Sequence, residues 1–321
     1  MTAPTIACSG PIGEVAIDIL KPFGEIVVAE DGSEDAIIGI VKDAVGIVLR
    51  GDGIGNARVI EAAPALKVIG RSGVGYDLVD IPTANTRKIP VVITPGANAQ
   101  SVSEAAITFM LTLCKRSYYW DAEFKKGNWA SRFGEFSGDL DGGTLGIIGF
   151  GRIGQKLAEL IRPFDMTVLA YDPFVSEETA TALGVTLVSL EDLLARSDFV
   201  SLHTMLNDDT RGLINRERIS LMKPGSYLIN LARGGVVESL DVLYEALTDG
   251  PLAGVGLDVF EPEPPDVSHP VFKLPNCLTS PHAIAMTKRS MYRSFKMMAE
   301  DMAAVLGGGK PKFLANPEIY K

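Results

Sequence analysis

Cysteine and histidine are scarce in this 321-residue chain, with three of each, and that scarcity narrows the chemistry before any motif is read. Cys8, Cys114 and Cys277 lie far apart with no Cys-x-x-Cys spacing, which disfavours a disulfide framework and a zinc site and fits a reducing compartment. Asp and Glu are scattered without metal-ligand spacing, so no catalytic metal is expected. No run of Lys and Arg is present, and 40 acidic against 30 basic residues give a formal charge of −10. Such a charge repels nucleic acid and anionic membranes, and neither is expected as a partner. Nowhere do about 18 apolar residues run uninterrupted. The first twenty residues lack a basic start and carry Glu14 and Asp18 where a signal peptide is apolar, so a cytoplasmic location is expected. Neither a Gly-x-Ser-x-Gly elbow nor a Gly-x-x-x-x-Gly-Lys-Ser/Thr phosphate loop occurs.

What is present is a repeated alternation. The length suggests two domains, because single cores usually stop growing near ~250–300 residues. Early on, "TIACSG", "EIVVAE", "GIVLRG", "KVIGRSG" and "VVITPG" are short apolar runs closed by turn residues, with helical spacing between them at Ala57–Ala63 and Leu78–Arg87. This pattern predicts strand-helix units and a parallel sheet. A longer helix is predicted over Val102–Tyr119, capped by Ser101 or Ser103 and leading into a new domain. From Thr144 the alternation restarts with "TLGIIGF", "MTVLAYD", "VTLV", "DFVSLHT", "SYLINLA" and "AGVGLDVF", a second parallel sheet. A last helix, Lys288–Leu306, ends in "GGG"; the sequence does not say which sheet it covers.

"GTLGIIGFGRIGQKL" joins a strand, a glycine-rich turn and a helix. Gly149-x-Gly151-x-x-Gly154 alone is a weak signal, but Asp172 ends the following strand at the spacing of a dinucleotide-binding unit. Gly149 permits the tight turn, Gly151 lets backbone approach a pyrophosphate, and Gly154 lets helix and strand pack closely, while the helix N-terminus faces the anion. Asp172 would accept from the adenosine ribose hydroxyls and repel a 2′-phosphate, which favours NAD over NADP. A structural turn with a surface aspartate is the plainer alternative.

Ligands of open parallel sheets bind beyond the carboxyl ends of the strands, which directs attention to the residues after each apolar run. Arg233, after "YLINLA", could grip a carboxylate bidentately and polarise a neighbouring carbonyl, or form a surface salt bridge. Asp258 in "GLDVF" could be partnered by backbone or by a cofactor amide, or simply cap a turn. Of the histidines, His203 could line a cofactor cleft or satisfy a backbone carbonyl, and His269 in "EPEPPDVSHP" reads as exposed. His282 follows "LTSP" and is the favoured general acid, with Glu263 as the carboxylate that would hold its tautomer.

The ordered set "GFGRIG", "YDP", "LHTMLNDDT", "INLARGGVV", "GLDVFEPEP" and "SPH", with "GRSGVGYDLVD" and "TPGANAQSVSEAA" upstream, resembles the D-isomer-specific 2-hydroxyacid dehydrogenases over essentially the whole chain. The resemblance implies an α/β fold of two doubly wound parallel-sheet domains, with a Rossmann NAD domain (98–284) inserted into a flavodoxin-like substrate domain (1–97 and 285–321). It implies Arg233, Glu263 and His282 as catalytic residues, with Arg233 on the substrate carboxylate and carbonyl and His282 as acid/base, oriented and charged by Glu263. Cofactor contacts are implied for Gly149, Gly151, Arg152, Ile153, Gly154, Asp172, Thr204, Thr210, Leu231, Ala232 and Asp258, and substrate contacts for Val74, Gly75, Asn98 and Arg50. The implied partners are NAD and a small 2-oxo/2-hydroxy acid, within a homodimer joined through the inserted half. "GRSGVGYD" and Asn98 are similar to the phosphoglycerate dehydrogenase branch, but Arg50 is followed by Gly51 and Asp52, and Asp52 would repel a phosphate dianion if it faced the same pocket. Arg50, Arg71 and Arg132 leave room for a second anionic group on the substrate, and surface arginines are the alternative for each. The leading substrates are thus 3-phosphoglycerate or hydroxypyruvate and glyoxylate. An NAD-sensing corepressor-like binding protein and a formate or phosphite dehydrogenase are the rival readings.

Overall fold

The computed structural model describes residues 3–134 and 136–321, which divide into two compact units. One runs to Asn98 and is completed by Met286–Lys321; the other is Ala99–Ala285, inserted between those segments.

In the first unit, β1 (Thr5–Cys8), β2 (Glu25–Val28), β3 (Ala44–Leu49), β4 (Val68–Arg71) and β5 (Val91–Val92) form an all-parallel sheet in the order β2-β1-β3-β4-β5. This is the flavodoxin-like order, which places a topological switch between β1 and β3. The helix Lys288–Leu306 packs on this sheet, which answers the question its sequence left open: Phe295, Met298, Ala299 and Met302 share a buried cluster with Ile6, Cys8, Val48, Val68 and Val92. The opposite face has its own core around Ile47, Leu49, Ile60 and Ile69. At the β5 edge, the fully buried Asn316 accepts from the Val91 N–H at 2.8 Å and donates to the Ile89 carbonyl at 2.9 Å, covering groups that an open edge would expose.

The inserted unit contains β6 (Thr144–Ile148), β7 (Thr167–Tyr171), β8 (Thr186–Leu187), β9 (Phe199–Leu202), β10 (Ser226–Asn230), β11 (Leu252–Leu257) and β12 (Cys277–Thr279). They form a parallel sheet ordered β12-β11-β10-β9-β6-β7-β8, with the reversal between β6 and β9. Two hydrophobic clusters cover its faces, so the strands are buried on both sides as their continuous apolar runs require. The edge strand β12 is an addition to the six expected runs.

The long helix differs from the expectation. It begins at Ala99 and stops at Cys114, and Arg116, in a left-handed conformation (φ 51°), separates it from a second helix, Ser117–Lys125. Ser101 and Ser103 are buried within the helix rather than capping it. All three cysteines are free and buried. Among the described residues, no helix is long and apolar enough to cross a membrane, and no cluster of His, Cys, Asp and Glu could hold a metal ion.

Candidate active site

In the inserted unit, β6, β9, β10, β11 and β12 are successive neighbours, so residues just beyond their carboxyl ends stand side by side at about the 4.8 Å strand spacing. The glycine-rich turn follows β6, His203 and Thr204 follow β9, Arg233 follows β10, Asp258 follows β11 and His282 follows β12.

Gly149 adopts φ +92°, and a Cβ there would lie 2.7 Å from the His203 carbonyl carbon, so both its backbone geometry and its surroundings require glycine. A Cβ on Gly154 would overlap the Gly149 carbonyl oxygen, whereas one on Gly151 would meet nothing within 4 Å. The first and last glycines are thus needed by the fold, and the middle one fronts open space at the start of the helix Arg152–Ile161. N–H groups in that first turn, including those of Arg152 and Ile153, have no intrahelical acceptor and suit a pyrophosphate. Asp172, just past β7, accepts from the Phe150 N–H at 2.8 Å through Oδ2 and from the Phe174 N–H at 2.9 Å through Oδ1. The acid that would meet a ribose therefore also ties the glycine turn to the end of β7.

Among the described residues His203 bonds neither a backbone carbonyl nor an acid; its Nε2 pairs with the Ser201 hydroxyl at 2.9 Å. Burial depresses its pKa to about 4, so the ring is neutral near neutral pH. Thr204 Oγ1 is buried with no hydrogen-bond partner among the described residues, and the Thr204 N–H lies beside Gly149, a polar pair suited to a bound dinucleotide. Thr210 turns its hydroxyl onto its own loop, donating to the Met205 carbonyl at 2.6 Å and accepting from the Asn207 N–H at 2.9 Å. His269, expected to be exposed, is only 19% so: its Nε2 pairs with Asp241 at 3.1 Å, and its Nδ1 accepts from the Val271 N–H at 3.2 Å.

Arg233 is half-buried in extended backbone (φ −147°, ψ 148°) before the short 3-10 turn Gly234–Val236. Its Nη1 donates to the Ala232 carbonyl at 2.8 Å. A Cβ on Gly234 would overlap the Phe260 carbonyl carbon, so the second residue of "RGG" is set by close contact with the loop that carries Glu263. Asn230, which the motif reading passed over, is 1% exposed and makes side-chain hydrogen bonds to this turn. Its signal was available: a polar side chain within an apolar strand must find partners.

Asp258 is 4% exposed, and its Oδ1 accepts from the Ala283 N–H at 2.9 Å and the Ile284 N–H at 3.2 Å. It thereby holds the chain immediately after His282. Burial raises its carboxyl above the ordinary value, opposed by hydrogen bonds from Ser280, Ile284 and Ala283 and by the His282 charge. Glu263 accepts from the Phe260 N–H at 2.9 Å through Oε1, and its Oε2 lies 2.9 Å from His282 Nδ1. Desolvation pushes the Glu263 carboxyl up, but hydrogen bonds from His282 and Phe260 and the charges of His282 and Arg233 outweigh it, leaving it below the usual carboxylate range. His282 sits at φ +53°, a left-handed conformation uncommon outside glycine. With Nδ1 held by a carboxylate, Nε2 is the nitrogen left to exchange a proton.

In the first unit, the loop after β4 contains Val74, 38% exposed, and Gly75, whose carbonyl accepts from Arg71 Nε at 3.0 Å. Arg71 also donates through Nη2 to the Gly51 carbonyl at 3.0 Å, so its buried guanidinium stitches the loops after β3 and β4 together. Arg50 donates to the Pro11 carbonyl and stacks on the Phe295 ring at 5.3 Å. Asp52 is exposed, beside Gly32, and Asn98 closes the turn that ends this segment. Arg132, in the inserted unit, stacks on Trp129 and Phe133 at 5.0 and 4.5 Å.

A family model described as D-isomer specific 2-hydroxyacid dehydrogenase, NAD binding domain, matches residues 107–283, and the chain belongs to that family. It is 41% identical over 300 residues to a D-3-phosphoglycerate dehydrogenase from Archaeoglobus fulgidus, an alignment covering 93% of this chain and 56% of the relative. It is 38% identical to a glyoxylate reductase from Korarchaeum cryptofilum, covering 95% of this chain and 89% of the relative. The chain spans little more than half the length of the phosphoglycerate dehydrogenases it matches. Among solved structures, the TT0316 protein from Thermus thermophilus superimposes with a TM-score of 0.89 at 34% identity, covering 97% of this chain and 99% of that one.

Proposed function

We propose that this protein is an NAD-dependent D-2-hydroxyacid dehydrogenase that interconverts a small 2-oxo acid and its 2-hydroxy acid. The observation that carries this reading is the Glu263–His282 pair at 2.9 Å, which joins the loop after β11 to the end of β12, with Asp258 at the end of β11 and Arg233 at the end of β10, one strand further. Nicotinamide supplies or accepts the hydride when bound. Arg233 grips the substrate carboxylate and offers positive charge to the carbonyl oxygen as negative charge develops there. His282 gives a proton from Nε2 to that oxygen during reduction and takes it back during oxidation, while Glu263 keeps the other ring nitrogen engaged and stabilises the cationic ring. Asp258 positions the nicotinamide edge, with Leu231 and Ala232 lending backbone, and Gly149, Gly151, Arg152, Ile153 and Gly154 receive the pyrophosphate. Asp172 sets the preference for NAD over NADP through its negative charge, and Thr204 and Thr210 border the cofactor.

In the first unit, Val74 and Gly75, through backbone N–H groups, and Arg50 and Asn98 are the residues proposed for the substrate. The names of the relatives support 3-phosphoglycerate and glyoxylate as substrates, and hydroxypyruvate is the third acid of the proposal. Exposed Phe124, Trp129, Phe133 and Phe136 on the inserted unit support a homodimer formed through that half.

A panel of 2-oxo acids, followed by NADH absorbance with NADPH as control, tests the reading. Rapid NADH oxidation with hydroxypyruvate or glyoxylate, or NAD reduction with 3-phosphoglycerate, is the expected result. Slow turnover with every acid, accompanied by nucleotide-dependent association with another protein, would replace the enzyme by a sensor. A strong preference for NADPH would remove the role given to Asp172.

A further inference from the structure

The reaction scheme leaves Asn230 without a task, yet this residue is almost wholly buried at the end of β10, where an apolar side chain would be less costly. Both ends of its amide are used on the adjoining turn. Oδ1 accepts from the Ala232 N–H at 3.0 Å, and Nδ2 donates to the Arg233 carbonyl at 2.9 Å. Its own carbonyl accepts from the Asp258 N–H at 3.1 Å, joining the same residue to the strand end that holds the His282 segment.

Two further features make this clamp consequential. The Arg233 guanidinium folds back to the Ala232 carbonyl at 2.8 Å, so its position follows the Ala232–Arg233 peptide, which lies between the two groups Asn230 holds, the Ala232 N–H and the Arg233 carbonyl. Gly234 is pressed against the Phe260 backbone and the Gly235 and Val236 carbonyls accept from the Gly212 and Ile214 N–H groups, while a cavity of about 390 Å³, lined in part by Asn230, Gly234, Gly235, Leu257 and Phe260, lies against the same turn. An unclamped turn has somewhere to go.

We propose that Asn230 is a positioning residue that aims the Arg233 guanidinium at the substrate through the Ala232 and Arg233 peptides. The inference rests on the reading of Arg233 as the carboxylate-binding group and deepens it. Asn230 touches neither substrate nor reacting atoms in this scheme; its effect is transmitted entirely by the turn.

Asn230→Asp keeps the size and the Oδ1 acceptor but replaces the donor facing the Arg233 carbonyl with an oxygen. Because misplacement of about 1 Å costs on the order of 10²-fold in rate, the variant should lose about 10–100-fold in kcat/KM, with KM for the oxo acid raised and kcat lowered. NADH affinity, measured by fluorescence titration, should stay within about threefold, since the acceptor on the Ala232 N–H is kept and the glycine turn after β6 is untouched. In an Arg233→Lys background the same change should cost little more, because the group it aims is gone. Asn230→Ser, smaller and neutral, serves as the second variant should Asp at this buried site prevent folding.

The outcomes separate. Wild-type turnover in Arg233→Ala would defeat the underlying assignment of Arg233. A damaged Arg233→Ala beside an unimpaired Asn230→Asp, or an Asn230 penalty that persists in full in the Arg233→Lys background, would overturn the positioning role alone. Loss of NADH binding in step with turnover in both Asn230 variants would mark a purely structural residue and overturn it as well.

Discussion

Each unit seats a long helix on a glycine of its own sheet, but the two seats are built from different materials. In the inserted unit, a Cβ on Gly256 of β11 would lie 2.6 Å from Cγ of Phe109, the base of a ring fixed in the helix Ala99–Cys114. In the first unit, a Cβ on Gly70 of β4 would overlap Met302 Sδ, the far end of a flexible thioether. The strand ends differ in the same sense. Those of the inserted unit carry Arg233, Asp258, Glu263 and His282, with both carboxylates locked by backbone donors, while the loops after β3 and β4 offer backbone groups held by Arg71. A stiff seat belongs with side chains that must be aimed; a forgiving one suffices where the chain presents peptide groups. Every histidine of the protein also lies in the inserted unit.

The widest contrast is expected in turnover. His282→Ala or Arg233→Ala should lower kcat by roughly 10²–10⁴-fold while NADH still binds, because acid–base and electrostatic help are lost; steady-state kinetics paired with fluorescence titration will show it. Acid should come next. His203 is held neutral at about 4 against an ordinary 6.5, so the folded form binds fewer protons than the unfolded chain. Its contribution to stability is therefore constant above pH 6.5 and declines as pH falls from there toward 4, by at most ~3 kcal/mol. Urea midpoints at pH 7.5 and 5, compared with His203→Gln, should show a flatter acid limb in the variant. Glu263, whose carboxyl is lowered, adds to the decline as pH drops through its folded value.

At Asp172, replacement by Asn should reduce kcat/KM for NADH by about 10–100-fold and narrow the gap to NADPH, as expected for losing charge-assisted hydrogen bonds. The smallest test sets the two helix seats against each other. Gly256→Ala should destabilise by about 1–3 kcal/mol, the scale for overpacking a core, and Gly70→Ala by less because methionine yields. Equal losses in thermal midpoint would erase the distinction between the units.

Much of this was legible because parallel strands buried on both faces read as unbroken apolar runs, and their carboxyl ends are where polar residues interrupt them. Arg233 and Asp258 were found that way, His282 by weighing the three histidines, and Glu263 by its place in the loop after Asp258. What escaped notice depended on single backbone torsions or on distant partners. The apolar period runs straight through Lys115, yet the helix ends there because Arg116 turns left-handed and stacks its guanidinium on Tyr119 at 4.5 Å, while the Gly138 N–H caps the Cys114 carbonyl. β12 is too short to show any period. His269 lies in a proline-rich loop whose composition suggests exposure, but its partner Asp241 is remote in sequence. Asn230 shows in the sequence only as a polar residue in an apolar strand, and its partners, main-chain groups of the next turn, come from the structure alone.

The interruption of the first unit by the second also governs the order of events on the ribosome. Ile6, Cys8, Val48, Val68 and Val92 emerge early, but the side chains that cover them, Phe295, Met298, Ala299 and Met302, emerge only after all of Ala99–Ala285 has been made. At about 5–20 residues per second that leaves a greasy, half-finished sheet waiting for roughly 10–40 s. The nascent chain can therefore complete its later half first, and its early half is the one that needs shielding by chaperones during synthesis.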